Sequence, residues 1–365
     1  MGFSIVRLFN FRNLDNSTVD VNSPVVFLVG DNGQGKTNFL EALYFLCFGS
    51  SFRTRNEENI KTIGETVAQV YGEYLLGKEN QISLSVLLEG KEKKISLNGK
   101  RIFDRKEIIN NIPCVVFCHN DIEFVNGSPE KRRWFFNQVL CMKEPLFLNT
   151  LREYQKILIT RNKVLKEGPY DLLDIYDQQL VKKGVEIQEK REKTIDYFNA
   201  IFSPVFCKIS GLDPGELKIT YLPNWGKTEK EDTILSLLRK RRDLEVQAGV
   251  TTLGPHRDRF LFVLNERNFI KTASTGQARL VSLVLRVSQA RFISENTGLK
   301  PVLLLDDVLL ELDGKKRILF LESLPEYEQA FFTFLPEEPY KQYHKDAKIL
   351  NTNKGIFTEG DKPGQ

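Results

Sequence analysis

Eight residues constrain this chain more than any other segment: GDNGQGKT, Gly30 to Thr37, directly after the uniformly apolar run Val25 to Val29. The spacing G-x-x-x-x-G-K-T between a buried strand and a helix is the P-loop pattern. Its glycines let successive backbone N–H groups surround phosphate oxygens, and the following helix N-terminus adds a positive dipole. The sequence therefore predicts an α/β fold with a phosphate-binding loop at the end of a central strand.

The residues expected to contact nucleotide share this loop and the first turn of its helix. They are Gly30, Asn32, Gly33, Gly35, Lys36, Thr37 and Asn38. We expect Lys36 to reach the β- and γ-phosphates and to serve in catalysis, and the Thr37 hydroxyl to bind Mg²⁺. With the motifs described next, ATP and Mg²⁺ are the predicted ligands.

A second apolar run, Val302 to Leu305, ends in two acids, Asp306 and Asp307, which is the form of a Walker B motif. We expect Asp306 to hold Mg²⁺ directly or through water, and Asp307 to orient or deprotonate the attacking water. Many ABC-type ATPases carry Glu at the second position. The shorter side chain of Asp307 suggests slow hydrolysis.

The tetrapeptide Ser274 to Gln277 precedes a predicted helix and lies upstream of the Walker B strand. A serine hydroxyl, a glycine and a helix N-terminus can form an anion site, although a plain helix cap explains the tetrapeptide equally well on its own. In ABC-type ATPases this position grips the γ-phosphate bound to the opposite protomer. We therefore expect Ser274, Gly276 and Gln277, with Asp313 of a D-loop, to complete the site in an ATP-dependent homodimer.

The formal net charge of +4 and the pI near 8.6 are compatible with polyanion binding but do not require it. The basic residues are more clustered than the total suggests. The candidate DNA-contacting residues are Lys131, Arg132, Arg133, Arg239, Arg241 and Arg242. The alternative is that these runs form solvated helix faces with no ligand.

Five cysteines without paired spacing argue against a disulfide framework. Cys114, Cys118 and His119 lie close in sequence, but a metal site is disfavoured because no second ligand pair follows. No apolar stretch has the length of a membrane span, and charges interrupt the start of the chain where a signal peptide would be apolar. We expect a cytoplasmic protein without a membrane partner.

The β/α pattern is interrupted at Ser128, where Ser-Pro-Glu predicts the start of a helical insertion without strong strand signals. It returns beyond Gly249, with one strand expected at Phe269 to Lys271. The predicted organisation is an ATPase domain split between 1–125 and 249–350 (lobe I), a helical lobe II at 126–248, and a loose tail at 351–365.

Six segments, in order, resemble the RecF family of ABC/SMC-type ATPases: GDNGQGKTN, GSSFR, NGSPEKRR, GPHRD, STGQ and LLLDDVLLELD. The resemblance implies an ABC/SMC-head-like P-loop ATPase lobe with an inserted helical second lobe. It also implies ATP-induced dimerisation, binding to duplex and gapped DNA, and action with RecO and RecR to load RecA at gaps. Weak, DNA-dependent ATP hydrolysis would then act as the release switch.

The sequence departs from that family pattern at three places. Cys118 to Asp121 reads CHND where Ser-Pro-Glu-Asp is expected, Arg259 replaces a second Asp after GPHRD, and Leu309-Leu310 replaces Phe-Ser. The first departure leaves the Q-loop residue unassigned, so His119 receives no catalytic role. No switch histidine follows the strand Ala330 to Phe334, and Thr333 is the candidate for that position.

Two other functions remain open from sequence alone. The energising subunit of an ABC transporter shares the P-loop and Walker B motifs, but it would need a coupling surface for a membrane partner. A scaffold that binds nucleotide without turnover would need only the dimer interface.

Overall fold

The computed structural model describes residues 2–54, 56–77, 80–104, 106–109, 112–211, 217–227 and 230–360. The chain forms two compact units, one made of residues 1–119 and 293–365 and the other of residues 120–292. From the sequence, residues 249–292 were expected to belong to the ATPase lobe instead. They belong to the second unit because strand Arg259–Leu264 pairs along its whole length with strand Leu217–Leu222 of the inserted segment.

A mainly parallel sheet of six strands forms the centre of the first unit. Its strands are β3 (Val25–Val29), β8 (Cys114–Phe117), β12 (Val302–Leu305), β13 (Gln329–Phe334), β14 (Lys348–Asn353) and β15 (Ile356–Glu359). The order is β15-β14-β3-β13-β12-β8, and only β15 runs antiparallel to its neighbour. Every residue of β3, β8, β12 and β13 is buried, which explains their unbroken apolar sequences.

An antiparallel sheet forms the second layer of this unit. Its strands are β1 (Gly2–Phe9), β2 (Thr18–Asp20), β4 (Val67–Leu76), β5 (Asn80–Glu89), β6 (Glu92–Leu97) and β7 (Lys100–Ile102), in the order β2-β1-β4-β5-β6-β7. Burial alternates along β4, as a sheet with one covered face requires. An Asn98-Gly99 turn joins β6 to β7, and both residues have positive φ (50° and 74°).

The described part of the first unit contains three complete α-helices: α1 (Lys36–Phe48), α2 (Lys106–Ile109) and α9 (Gly314–Ser323). Helix α1 contacts β4 and β5 of the antiparallel sheet and β8 and β13 of the parallel sheet. It is apolar on almost all sides because both layers cover it. A Cβ at Gly72 would lie 2.7 Å from Leu46 Cδ1, so the glycine permits the close approach of α1 to β4.

The second unit contains most of the helices. They are α3 (Glu123–Asn126), α4 (Pro129–Lys143), α5 (Phe147–Glu167), α6 (Leu173–Ser210), α7 (Glu231–Ala248) and α8 (Thr275–Thr297), whose last five residues are counted with the first unit. A three-stranded sheet accompanies them: β9 (Leu217–Leu222), β10 (Arg259–Leu264) and β11 (Arg267–Asn268). Gly184 in α6 admits the ring of Trp225, because a Cβ there would lie 2.2 Å from it.

Three expectations about these segments were wrong. The inserted segment is not purely helical, since β9 alternates buried and exposed side chains against α6 and pairs with β10. Phe269–Lys271 is a single 3-10 turn. The tail is ordered through residue 360, because β14 pairs with β3 and β15 pairs with β14; residues 361–365 lie outside the described part of the chain.

Three further observations concern helix length, thiols and possible metal ligands. No helix of the described residues combines the length and the apolar character needed to cross a membrane. Cys114 and Cys118 are buried thiols. Within the described ranges, no group of three or more His, Cys, Asp or Glu side chains is arranged to hold a metal ion.

Candidate nucleotide-binding site

The P-loop joins the end of β3 to the start of α1 and curls around the Lys36 side chain. Gly33 and Gly35 have φ of 79° and 118°, in the left-handed region that other residues rarely adopt. Lys36 is 4% exposed. Its Nζ donates to the carbonyl oxygens of Gly30 and Asp31, the latter at 3.0 Å. The ammonium group is therefore held within the curve of a loop whose tip, including Asn32, faces solvent.

The loop is braced on one side by the β14–β15 turn, in the segment that the sequence analysis expected to be loose. Gln34 accepts hydrogen bonds from the backbone N–H groups of Lys354 (2.7 Å) and Gly355 (2.8 Å). A Cβ on Gly30 would lie 2.3 Å from the carbonyl oxygen of Thr352. The C-terminal hairpin therefore fixes the backbone path of the P-loop.

The segment between β1 and β2 braces the other side. Asn13 Nδ2 donates to the carbonyl of Gly33 at 3.3 Å. A Cβ on Gly35 would lie 2.8 Å from Leu14 Cδ2, so only glycine fits without displacement. Both braces hold the loop in one shape, which lowers the entropy cost of binding a ligand there.

Asp306 follows β12 and meets Thr37 at the carboxyl edge of the parallel sheet. The Thr37 hydroxyl donates to Asp306 Oδ1 at 2.7 Å. Burial raises the pKa of Asp306 to about 6, while the Thr37 hydrogen bond opposes the rise and the neighbouring Asp307 charge adds to it. The structure thus brings together the two residues that the sequence analysis assigned to Mg²⁺.

Asp307 is held by Thr333 of β13, the neighbouring strand. Thr333 Oγ1 donates to Asp307 Oδ1 at 2.7 Å and accepts from the Asp307 backbone N–H at 2.7 Å. The φ of Asp307 is 54°, an unusual value for a residue with a side chain, and such strain of about 1–3 kcal/mol is concentrated at functional sites. Thr333 therefore orients this carboxylate from the position where a switch histidine was sought.

Arg53 is a charged neighbour of the P-loop helix to which the sequence analysis gave no role. Its Nη1 donates to Asn38 Oδ1 at 2.6 Å and lies 3.4 Å from Glu41 Oε2. Glu41 is fully buried and is also bound through two hydrogen bonds by Arg12 (2.7 and 2.9 Å). Arg53 is the arginine of the GSSFR segment, and its position in that segment could have identified it from the sequence as a possible anion ligand.

The STGQ segment caps α8 in the second unit. Ser274 Oγ accepts from the Gln277 backbone N–H at 3.2 Å, and Gln277 Oε1 accepts from the Ser274 backbone N–H at 2.8 Å. This reciprocal pair is a capping box. Ser274, Gly276 and Gln277 are exposed, and a Cβ on Gly276 would meet no atom within 4 Å.

Asp313 caps α9 in the first unit. Its side chain accepts from the backbone N–H of Lys316 at 3.0 Å and from Lys316 Nζ at 2.7 Å, and these hydrogen bonds lower its pKa. Nearby, His119 Nδ1 lies 2.9 Å from Glu311 Oε1. Asp313 and the STGQ segment therefore have local structural roles within one chain.

The first basic run divides into one exposed and two half-buried side chains. Lys131 is exposed and pairs with Glu123 at 2.7 Å. Arg132 donates to the carbonyls of Val125 (2.8 Å) and Gly127 (2.9 Å), and Arg133 donates to the carbonyl of Asp258 (2.9 Å). Arg132 and Arg133 thus bind backbone of their own unit.

The second run divides into two exposed side chains, Arg239 and Arg241, and one half-buried side chain, Arg242. Arg242 bonds to Asp174 (2.6 Å) and to the buried Asp177 (2.8 Å). Arg239 lies 3.6 Å from Asp174, and Arg241 is exposed. Arg242 is therefore a structural residue, whereas Arg241 is available to a ligand.

Comparisons with known proteins agree with this fold. The chain matches the RecF/RecN/SMC N terminal domain model over residues 3–358. It is 43% identical to the DNA replication and repair protein RecF of Treponema pallidum (strain Nichols), over 96% of this chain and 99% of that protein. It is 33% identical to RecF of Clostridium tetani (strain Massachusetts / E88), over 97% and 98%.

Two solved structures are also similar to this chain. The recombination mediator protein RecF-ATP of the RecFOR pathway superposes with a TM-score of 0.89 at 28% identity, covering 99% of this chain and 98% of that one. The SMC head bound to the C-terminal winged-helix domain of ScpA has a TM-score of 0.57 at 16% identity, covering 98% and 96%. The second likeness concerns the fold alone.

The fold and the P-loop site define a mixed α/β P-loop protein with an SMC-head-like fold. Within that class, the chain belongs to the RecF family. The comparisons do not favour the ABC-transporter alternative.

Proposed function

We propose that this chain is an ATP-controlled DNA-binding protein of recombinational repair and a weak, DNA-dependent ATPase. The observation that carries the proposal is the 2.7 Å hydrogen bond between Thr37 and Asp306 beside the enclosed Lys36. It joins residues 269 positions apart in the sequence at one edge of the parallel sheet. Membership of the RecF family supports the same function.

The residues at this edge fit ATP with Mg²⁺. A threonine hydroxyl and a carboxylate are oxygen ligands of the kind that Mg²⁺ prefers. The pKa of Asp306 is raised mainly because its charge is buried, so a nearby cation would stabilise the ionised form. When bound, Mg²⁺ neutralises charge on the phosphate oxygens. The RecF structures named with ATP and ATPrS support the choice of nucleotide.

The side chains then take distinct roles. Lys36 exchanges its backbone carbonyl partners for the β- and γ-phosphates, and the N–H groups from Gly30 to Thr37 surround the phosphate oxygens. Asp307, oriented by Thr333, accepts a hydrogen bond from the attacking water. Its short reach and its engagement with Thr333 favour slow turnover.

A second copy of the chain would complete the site. The capping box uses the N–H groups of Ser274 and Gln277, so the exposed STGQ cap offers those of Thr275 and Gly276 at the start of α8, and its glycine leaves open space for a phosphate group. Ser274, Gly276 and Gln277 of one protomer would then grip the γ-phosphate bound to the other, with Asp313 at the same interface. ATP thereby controls dimerisation.

The dimer would bring together basic residues that are few on each protomer, of which Lys131, Arg239 and Arg241 are exposed. Binding to duplex and gapped DNA would be directed mainly at phosphates and would depend steeply on salt. Action with RecO and RecR to load RecA, in the cytoplasm, follows from the family resemblance.

Two variants separate nucleotide binding from turnover. Lys36→Ala should lose ATP binding, whereas Asp307→Asn should retain binding and slow DNA-stimulated phosphate release by about 10²-fold. Asp346→Asn, at an exposed aspartate of the first unit, is the matched control and should hydrolyse at the wild-type rate.

Wild-type turnover in Asp307→Asn would show that the water-activating residue is misassigned. A wild-type chain that binds ATP and dimerises, but releases no phosphate with gapped DNA present, would instead favour the nucleotide-binding scaffold.

A further inference from the structure

The second unit contains a basic cavity that the candidate nucleotide site does not use. It has a volume of about 500 Å³ and is lined by Leu222, Pro223, Asn224, Thr252, Arg257 and Arg259. Both arginines are exposed. Over the described ranges of the chain, neither has a carboxylate within ion-pair distance, and the lining includes no acidic side chain.

A buried network fixes the turn that presents these arginines. Asp258, which lies between them in sequence, is 1% exposed. Its carboxylate accepts hydrogen bonds from the backbone N–H of Asn224 at 2.8 Å, from Arg191 Nη1 at 2.7 Å and from the Tyr221 hydroxyl. Because Asp258 is anchored inward, the side chains on either side of it face outward in a preset position.

Two further hydrogen bonds hold the same turn. Arg191 Nη1 also donates to the carbonyl of Pro255 at 2.8 Å, and the Gly254 backbone N–H donates to Asn224 Oδ1 at 2.9 Å. Gly254 has a φ of 136°, and a Cβ there would lie 2.5 Å from the Tyr154 hydroxyl. The turn is therefore rigid before any ligand arrives, which reduces the entropy cost of binding.

The acids near this turn are already neutralised inside the unit. Asp258 pairs with Arg191, and the fully buried Glu245 pairs with Arg161 at 2.8 Å. The pKa of the neighbouring His256 is lowered to about 4, mainly by burial, with smaller lowering contributions from the charges of Arg257 and Arg133. The outward face of the turn thus attracts anions.

We propose that Arg257 and Arg259 form a binding site for a backbone phosphate of duplex DNA. The guanidinium fork matches the geometry of phosphate oxygens, and two forks on one rigid turn can clamp a phosphodiester group. None of the described lining residues is aromatic, so a base has no ring on which to stack. The inference rests on the proposed DNA-binding function and adds a defined contact, at a position where the sequence analysis expected an aspartate instead of Arg259.

The test compares two charge reversals on the same sheet. Arg259 begins β10, and Arg267 lies exposed in β11, opposite Leu264 at the other end of β10. Arg259→Asp and Arg267→Asp change the net charge equally, at sites about 17 Å apart along the strand direction. Binding of the full chain with ATP to a mixed-sequence duplex is measured across a salt series.

Loss of one phosphate contact lowers the slope of log K against log salt by about 0.9, which is about eightfold in affinity at 0.1 M salt. We expect at least this loss for Arg259→Asp, and a change in slope of the same one-phosphate size, about 0.9, for Arg257→Gln combined with Arg259→Gln, because both arginines hold one phosphate. Arg267→Asp should stay near wild type. The loss should be equal on 5′-phosphorylated and 5′-hydroxyl duplexes.

Equal affinities for Arg259→Asp and Arg267→Asp, with a wild-type chain that binds DNA, would overturn the site and leave the proposed function intact. A loss confined to 5′-phosphorylated ends would overturn the backbone assignment. A wild-type chain that binds no duplex would overturn both proposals. If Arg259→Asp fails to fold, Arg259→Gln against Arg267→Gln gives the same decision with a smaller charge change.

Discussion

Arg241 and Arg242 are adjacent in sequence, but the structure predicts different effects, one on DNA binding and one on stability, when each is replaced by alanine. Arg242 is 27% exposed at its side chain and bonds to Asp177, which is 2% exposed. Arg241 is exposed on the same helix, α7, and contacts no acid of the described chain. Arg242→Ala should therefore destabilise the second unit, and Arg241→Ala should weaken DNA binding.

The size of each effect follows from the contacts. Losing the hydrogen bond to the buried, charged Asp177 costs about 1.5–3 kcal/mol, and the exposed bond to Asp174 adds at most about 1 kcal/mol. Asp177 keeps its second partner, Arg161, at 2.7 Å, which limits the loss. Arg241→Ala should change stability by no more than about 0.5 kcal/mol. If Arg241 touches a phosphate, its loss reduces the salt slope by about 0.9.

The chain provides its own probe for the assay. Its two tryptophans, Trp134 and Trp225, both lie in the second unit, and Trp225 is 4% exposed. Urea unfolding followed by tryptophan fluorescence therefore reports this unit. Salt-series DNA binding of the same two variants supplies the second readout.

Equal unfolding midpoints for the two variants would refute the structural role of Arg242. An unchanged salt slope in Arg241→Ala would remove this residue from the DNA surface. Because Arg242 supports the fold, a combined replacement of Arg239, Arg241 and Arg242 would mix the two effects.

Two further predictions concern the nucleotide site. Gly355→Ala should weaken ATP binding by at least about tenfold, because the φ of Gly355 is 81° and the new Cβ would lie 2.2 Å from the Asn13 carbonyl oxygen. Gly64→Ala is the control, since Gly64 has a φ of 90° but open space around it. Equal ATP affinities of the two variants by calorimetry would contradict the role of the β14–β15 turn in bracing the P-loop. Burial raises the pKa of Asp306 to about 6, so the stability of the ligand-free chain should fall by up to about 3 kcal/mol as pH rises from about 4 through 6. The unfolding free energy of Asp306→Asn, measured with urea, should not show this fall with pH. Identical pH profiles of stability for Asp306→Asn and the wild type would contradict the assignment to Asp306.

Much of the first unit could be predicted because its strands are either uniformly apolar or cleanly alternating. Val25–Val29 and Val302–Leu305 match the predicted spans. The P-loop and the two Walker B acids could be recognised because their spacing is dictated by phosphate geometry. Their proximity follows from the parallel sheet, in which neighbouring strands end at one edge.

The contacts that brace the site were not visible in the sequence. The β14–β15 hairpin has few apolar residues, Ile349, Leu350, Ile356 and Phe357, so its strands carry little apolar signal, and β14 is held by pairing with β3. The different roles of Arg241 and Arg242 could not be predicted either, because a run of basic residues does not show which side chain faces a buried acid. The expectation for 249–292 was wrong because pairing of β10 with β9 is a long-range contact.

ATP-driven association tests the central claim most directly, because the proposal has the STGQ cap of one protomer grip the γ-phosphate bound to the other. Sedimentation velocity at micromolar protein should be run without nucleotide, with ADP, and with ATP and Mg²⁺. The account predicts monomers in the first two conditions and dimers with ATP. The same monomer fraction in all three conditions, from a chain that demonstrably binds ATP, would contradict it.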